Sequence, residues 1–261
     1  MSRIAATFQH LRGAGRRALI PFLVAGDPDV GTTVRAVEAL IQAGADLIEL
    51  GVPFSDPVAD GPVNQRAYTR ALAAGVSLPT VLDLVKSIRG RSELPIVLLS
   101  YYNPLLRYGL EAFCRDAAGA GVDGVVVPDL PVDEAADLVG PARANGVDTV
   151  FLLAPTSTDR RITLTAGQSS GFIYCVSLTG VTGVREKLAE GVDGLVGRIR
   201  PHTSLPICVG FGVSTPEQAQ EVAAVADGVI VGSALVALLE RPDGVARLAE
   251  LVRALRAAID A

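Results

Sequence analysis

The chain has 261 residues, 49% apolar and 20% charged, too long for a disulfide-stapled mini-protein and too apolar for a disordered one, so a single domain spanning 1–261 is expected. Lysine and arginine total 23 against 28 acids, a net charge of −5 without a basic run, which argues against nucleic acid as a partner. Three cysteines without C-x-x-C spacing and two histidines argue against a disulfide framework and a three-histidine metal centre, so the expectation is a reducing, cytoplasmic setting and no metal.

Residues 2–13 read as an N-terminal helix. Arg16-Arg17 then precede the apolar run 18–25, where Pro21 and the acidic turn that follows favour a buried strand over a secretion signal. Seven more short apolar runs follow at 47–52, 95–102, 124–129, 149–155, 171–177, 206–212 and 228–233, and no stretch is long enough to span a membrane. The runs are continuous and not alternating, as in parallel strands covered on both faces. Helical stretches lie between them, for example 32–44, 79–90, 110–121, 133–146 and 215–226, then a short one after the last strand and a final helix from about Asp243. The triplet Gly-(Ala/Val)-Asp at 44–46, 121–123 and 146–148 punctuates the units: glycine ends a helix and a strand begins. The same letters at Gly191-Val192-Asp193 are a decoy, because Leu195, Val196 and Ile199 continue at helical spacing. The sum is an α/β chain, a (β/α)8 TIM barrel with an extra N-terminal helix, and a doubly wound open sheet is the alternative.

The longest connections, 53–65 and 178–191, fall on the strand-to-helix side, where barrels carry their chemistry. Glu49 interrupts the apolar run 47–51; with Ile48 and Leu50 turned to the helices, it points into the barrel, where lost hydration raises its pKa and suits it to proton transfer. The plain alternative is a carboxylate held by a buried partner or by loop N–H groups. Asp60, with Asp56, lies in the loop over the same rim, where a second carboxylate would offset positive charge developing on a substrate, or would simply serve a turn. Gly212 after the seventh strand, with Gly232 and Ser233 after the eighth, offers main-chain donors for a phosphate, and Gly180 and Gly183 could add more. Tyr174 is either a lumen residue aimed at Glu49 or a packed core tyrosine, and Phe22 and Leu99 either line a pocket for a flat ring or fill the core. The only lysines, Lys86 and Lys187, stand outside the strands, which disfavours Schiff-base chemistry.

In order along the chain, PFLVAGDP, IELGVPFSDPVADGPVNQRA, SYYNPLLRYG, GVVVPDLPVDE, LLAPTS, YCVSLTGVTG, VGFGVSTPEQ and GVIVGSA resemble the tryptophan synthase alpha chain family. The resemblance implies a barrel lyase that splits indole-3-glycerol phosphate into indole and glyceraldehyde 3-phosphate. It also implies a beta chain partner in an alpha2-beta2 complex, with pyridoxal phosphate in that partner and no cofactor in this chain. Carried over residue by residue, it makes Glu49 the proton-transfer group and Asp60 the carboxylate on the indole N–H. Phe22 and Leu99 become the indole pocket, Tyr174 a lumen neighbour of the reacting group, Thr182 a loop residue that orders Asp60, and Gly183, Gly212, Gly232 and Ser233 the phosphate cradle. Pro53, Asp56, Asn103 and the stretch PDLPVDE fall in the partner interface. Leu178 departs from the arginine frequent in the family at that place. Two rival readings are another phosphate-binding barrel isomerase and a partner-binding subunit with little catalysis of its own.

Overall fold

The computed structural model describes residues 1–176, 186–210 and 212–261, and for 186–191 the course of the helix alone. Helix α1 (Arg3–Gly13) starts where the Ser2 side chain accepts from the Ala5 N–H, and it buries Ile4, Phe8 and Leu11. Parallel strands follow: β1 (Ala18–Val24), β2 (Ile48–Gly51), β3 (Ile96–Leu99), β4 (Gly124–Val126), β5 (Asp148–Val150), β6 (Leu152–Leu153), β7 (Ile173–Val176), β8 (Ile207–Gly210) and β9 (Gly228–Val231). The helices between and after them are α2 (Val30–Gln42), α3 (Pro62–Ala73), α4 (Leu78–Arg89), α5 (Tyr102–Tyr108), α6 (Leu110–Ala120), α7 (Ala136–Ala144), α8 (Asp159–Gln168), α9 (Glu186–Ile199), α10 (Pro216–Val225), α11 (Ser233–Leu238) and α12 (Gly244–Ile259).

The strands line up as β5-β4-β3-β2-β1-β9-β8-β7-β6. The two ends of that order are separated in the chain only by Phe151, whose carbonyl accepts from the Tyr174 N–H at 3.1 Å. The run expected as one strand over 149–155 is therefore two, because 148–150 pairs with β4 while 152–153 pairs with β7. One stave serves both neighbours and the sheet curls into an eight-staved barrel; the open doubly wound sheet is set aside. A second difference lies after β2, where the end of the segment read as loop, from Pro62 on, opens an extra helix, α3, that the sequence reading did not assign.

The Gly-x-Asp punctuation has a physical cause. Gly44, Gly121 and Gly146 take φ of +100°, +93° and +73°, which turns the chain out of each helix. In two of the triplets the aspartate then satisfies an N–H at the start of the neighbouring strand: Asp46 accepts from Leu19 at 2.9 Å and Asp123 from Ile96 at 2.8 Å, and Asp227, outside the triplets, does the same for Ile207 at 2.8 Å. Each acid has an arginine, Arg256 on Asp46, Arg89 on Asp123 and Arg200 on Asp227. These ion pairs ring the bottom of the barrel, leaving the opposite rim for loops. The triplet at 191–193 lies inside α9, as its helical spacing indicated. No single helix among the described residues is long and apolar enough to cross a membrane.

Candidate active site

The upper end of the barrel holds a cavity of about 150 Å³. Its wall takes Phe22 from β1, Leu99 from β3, Tyr174 from β7, Ile230 from β9 and Asp60 from the loop after β2, with Gly212, Gly232 and Ser233 on the far side. Residues scattered over more than two hundred positions thus converge on one space, and the sequence reading had singled out all of these but Ile230. Gly61, Asn64 and Val213 complete the wall and were missed. Thr182 and Gly183, like Gly180 and Leu178, lie outside the described residues.

Glu49 pairs in register with Phe22 on one side and Val97 on the other, one inward-facing layer below the level where Gly51 meets Leu99. It is 1% exposed, and neither carboxyl oxygen has a hydrogen-bond partner among the described residues. Among the described residues, then, no donor holds it as the plain alternative would require. Burial first, and the charge of Asp60 second, push its pKa up to about 8. Close packing around it depends on two glycines on lumen faces. A Cβ at Gly51 would meet the Phe22 ring at 2.7 Å and the Tyr68 hydroxyl at 2.8 Å, and one at Gly210 would meet the Tyr174 hydroxyl at 2.7 Å. Tyr174 is thus a lumen residue, with its hydroxyl over β8 and its pKa raised by burial and by the charge of Glu49.

Asp60 precedes α3, whose first residue is Pro62, and Asp60, Asn64 and Tyr68 recur every fourth position, so they share one helix face. Asn64 Nδ2 donates to Asp60 Oδ1 at 2.8 Å and the Tyr101 hydroxyl donates to Oδ2 at 2.6 Å. Burial raises the Asp60 pKa; Tyr101, Asn64 and Tyr68 oppose the rise without cancelling it. Tyr101 also accepts from the Ala59 N–H at 3.0 Å, and the Phe54 ring stacks on it at 5.3 Å. One buried tyrosine after β3 therefore pins the loop that carries Asp60, a role the sequence did not expose.

On the far side Gly232 occupies the N-cap position of α11 without a side-chain cap bond, and Gly212 has φ +89°. No lysine or arginine lines the cavity among the described residues, so an anion there would meet main-chain amides and the Ser233 hydroxyl. Of the expected interface residues, Pro53 is buried while Asp56 and Asn103 are exposed on neighbouring connections of the same rim. Among the described residues no three His, Cys, Asp or Glu side chains converge as a metal centre.

Residues 8–259 match the family model described as tryptophan synthase alpha chain. A tryptophan synthase alpha chain from Geobacter sulfurreducens is 54% identical over 241 residues, 92% of this chain and 91% of the relative. One from Geotalea uraniireducens is 53% identical over 264 residues, covering 100% and 99%. Among solved structures, tryptophan synthase subunit alpha from Legionella pneumophila superposes with a TM-score of 0.92 at 36% identity, covering 100% of this chain and 99% of that one. The aminoacrylate-bound tryptophan synthase from M. tuberculosis gives 0.91 at 40% identity, covering 99% and 100%.

Proposed function

The chain belongs to the tryptophan synthase alpha chain family, and on that premise we propose that its cavity is where indole-3-glycerol phosphate is split into indole and glyceraldehyde 3-phosphate. The reaction is a carbon–carbon lyase step of tryptophan biosynthesis. The observation that carries the assignment of roles is Glu49: a buried carboxyl without a hydrogen-bond partner among the described residues, one layer below a ring-sized cavity, and still protonated at neutral pH because its pKa is pushed up to about 8.

Cleavage needs a proton on indole C3 and the loss of one from the side-chain hydroxyl. Glu49 in its acid form gives its proton to C3, and the ring becomes an iminium with positive charge at nitrogen. The resulting carboxylate takes the hydroxyl proton. The carbon–oxygen bond becomes the aldehyde carbonyl as the electrons of the C3 bond flow into the ring and quench the cation. Glu49 ends protonated again, so the cycle closes without net proton uptake. Asp60 faces the ring N–H, where its charge counts most in the cationic state, so it acts on kcat more than on binding. Phe22 and Leu99 flank the ring, Tyr174 stands beside the reacting carbon, and the amides at Gly212, Gly232 and Ser233 hold the phosphate and with it the register of the side chain. Thr182 and Gly183 are assigned to the same closing loop and cradle on the family's pattern.

Indole then passes to a beta chain in an alpha2-beta2 complex, docked over the rim of Pro53, Asp56 and Asn103. The pyridoxal phosphate belongs to that partner and this chain needs no cofactor; the setting is cytoplasmic. The test is indole release from indole-3-glycerol phosphate. Glu49→Gln should lower kcat by about 10²–10⁴-fold, the usual range for a proton-transfer group, with the fold intact. Wild-type turnover in the variant would remove Glu49 from its role.

A further inference from the structure

Four buried polar atoms without a well-formed hydrogen bond to any described residue cluster at this one site: both Glu49 oxygens, Asn64 Oδ1 and the Tyr68 hydroxyl. An unpaired buried group costs stability, so a fold that carries several side by side has arranged them for something other than itself. The reaction above uses Glu49, and Asn64 orients Asp60. Tyr68 has no part in it yet.

Tyr68 is completely buried on α3, two helical turns beyond Asp60 on the same face. Its hydroxyl presses on Gly51, where a Cβ would stand only 2.8 Å away, and Gly51 shares a strand face with Glu49. The oxygen therefore lies between the helix that follows Asp60 and the strand that holds Glu49. The titratable groups acting on it are Asp60, Tyr101 and Glu49, all of one sign. Toward the carboxylate of Asp60 a phenol at this place offers its O–H, while toward the protonated Glu49 its oxygen can also accept. Asp60 already takes Tyr101 and Asn64 as donors, and Tyr68 points to it without reaching hydrogen-bond geometry.

We propose that Tyr68 is a positioning residue of the reaction, whose hydroxyl spans the two carboxyl groups and donates to Asp60 when the indole ring is seated. The proposal rests on the function proposed above. A donor on Asp60 favours its charged form, and so keeps it ionised beside a protonated Glu49. With the hydroxyl gone, Asp60 holds its proton to higher pH and the ring cation loses its counter-charge.

The test compares full-length wild type, Tyr68→Phe, Asp60→Asn and the double variant in indole release across pH. For Tyr68→Phe the expected result is a kcat at least tenfold lower, KM within about twofold, and the acid limb of the kcat profile moved to higher pH, by about one unit for a lost hydrogen bond of ordinary strength. In the Asp60→Asn background the same substitution should cost nothing further, since Tyr68 acts through Asp60. Because the hydroxyl has no well-formed partner among the described residues, Tyr68→Phe should melt no lower than wild type. An unmoved acid limb, an equal loss in both backgrounds, or a fall in Tm would each assign the hydroxyl a structural role and overturn the proposal. A wild-type chain that releases no indole would sink the function itself and the proposal with it, whereas an active wild type with an unaltered Tyr68→Phe sinks the proposal alone.

Discussion

Glu49 is the residue at which stability and chemistry pull apart. Its carboxyl titrates near 4.5 when solvated and about 8 in the fold, so the folded chain favours the neutral acid. Its contribution to stability is complete below the solvated value and is lost as pH rises from there toward 8, because over that window the folded state holds a proton that the unfolded state has released. Glu49→Gln should therefore melt near the wild-type temperature at pH 4.5 and clearly above it at pH 8.5, a gap that calorimetry at the two pH values would measure. Asp60 raises the Glu49 pKa, so Asp60→Asn should move the Glu49 titration below 8, read by ¹³C NMR of the carboxyl, while kcat falls by about 10²-fold. A variant with raised KM and normal kcat would contradict the charge argument. Glu49 was legible because an acid inside an apolar run is conspicuous; Asn64, Tyr68 and Tyr101 were not, because each is ordinary in its own segment and gains its meaning from Asp60.

At the scale of elements, the segment after β2 shows what a sequence conceals. Its glycines and prolines suggest a long loop, yet Pro62 at the first helical position starts α3, and the four-residue spacing of Asp60, Asn64 and Tyr68 then becomes a functional face. The strands were easy to place because continuous apolar runs survive any register, whereas the break at Phe151 was not, since it arises from which neighbour each half pairs with. Helix α3 is moored by Arg70, which grips buried Asp27 through two hydrogen bonds of 2.7 and 2.9 Å and also reaches Glu240. Arg70→Ala leaves the Asp27 charge uncompensated and should cost about 3 kcal/mol, toward the low end for such losses because Arg70 is partly exposed, as urea unfolding would show. Tyr101→Phe removes a donor to Asp60 and the acceptor for Ala59, so the acid limb of the kcat profile should move up while the melting temperature changes little.

Across the whole molecule the two ends of the barrel are built to different standards. At the bottom, Asp46, Asp123 and Asp227 are each matched by a strand N–H and an arginine. At the top, both Glu49 oxygens stand unmatched among the described residues. Breaking a bottom pair should then cost stability and leave chemistry alone: Asp123→Ala is expected to lose about 3 kcal/mol in urea unfolding, with kcat unchanged once folded. Two acids of that ring, Asp46 and Asp123, were visible in the sequence through the Gly-x-Asp punctuation, but Asp227 and the arginines were not, since Asp227 lacks the triplet and the arginines come from distant parts of the chain. The measurement that bears most directly on the central claim is the pH dependence of kcat/KM for indole release from indole-3-glycerol phosphate. With Glu49 starting each cycle as an acid, the rate should fall as pH rises through about 8, and Asp60→Asn should bring that fall to lower pH. A rate that climbs through pH 8, or a basic limb unmoved by Asp60→Asn, would contradict it.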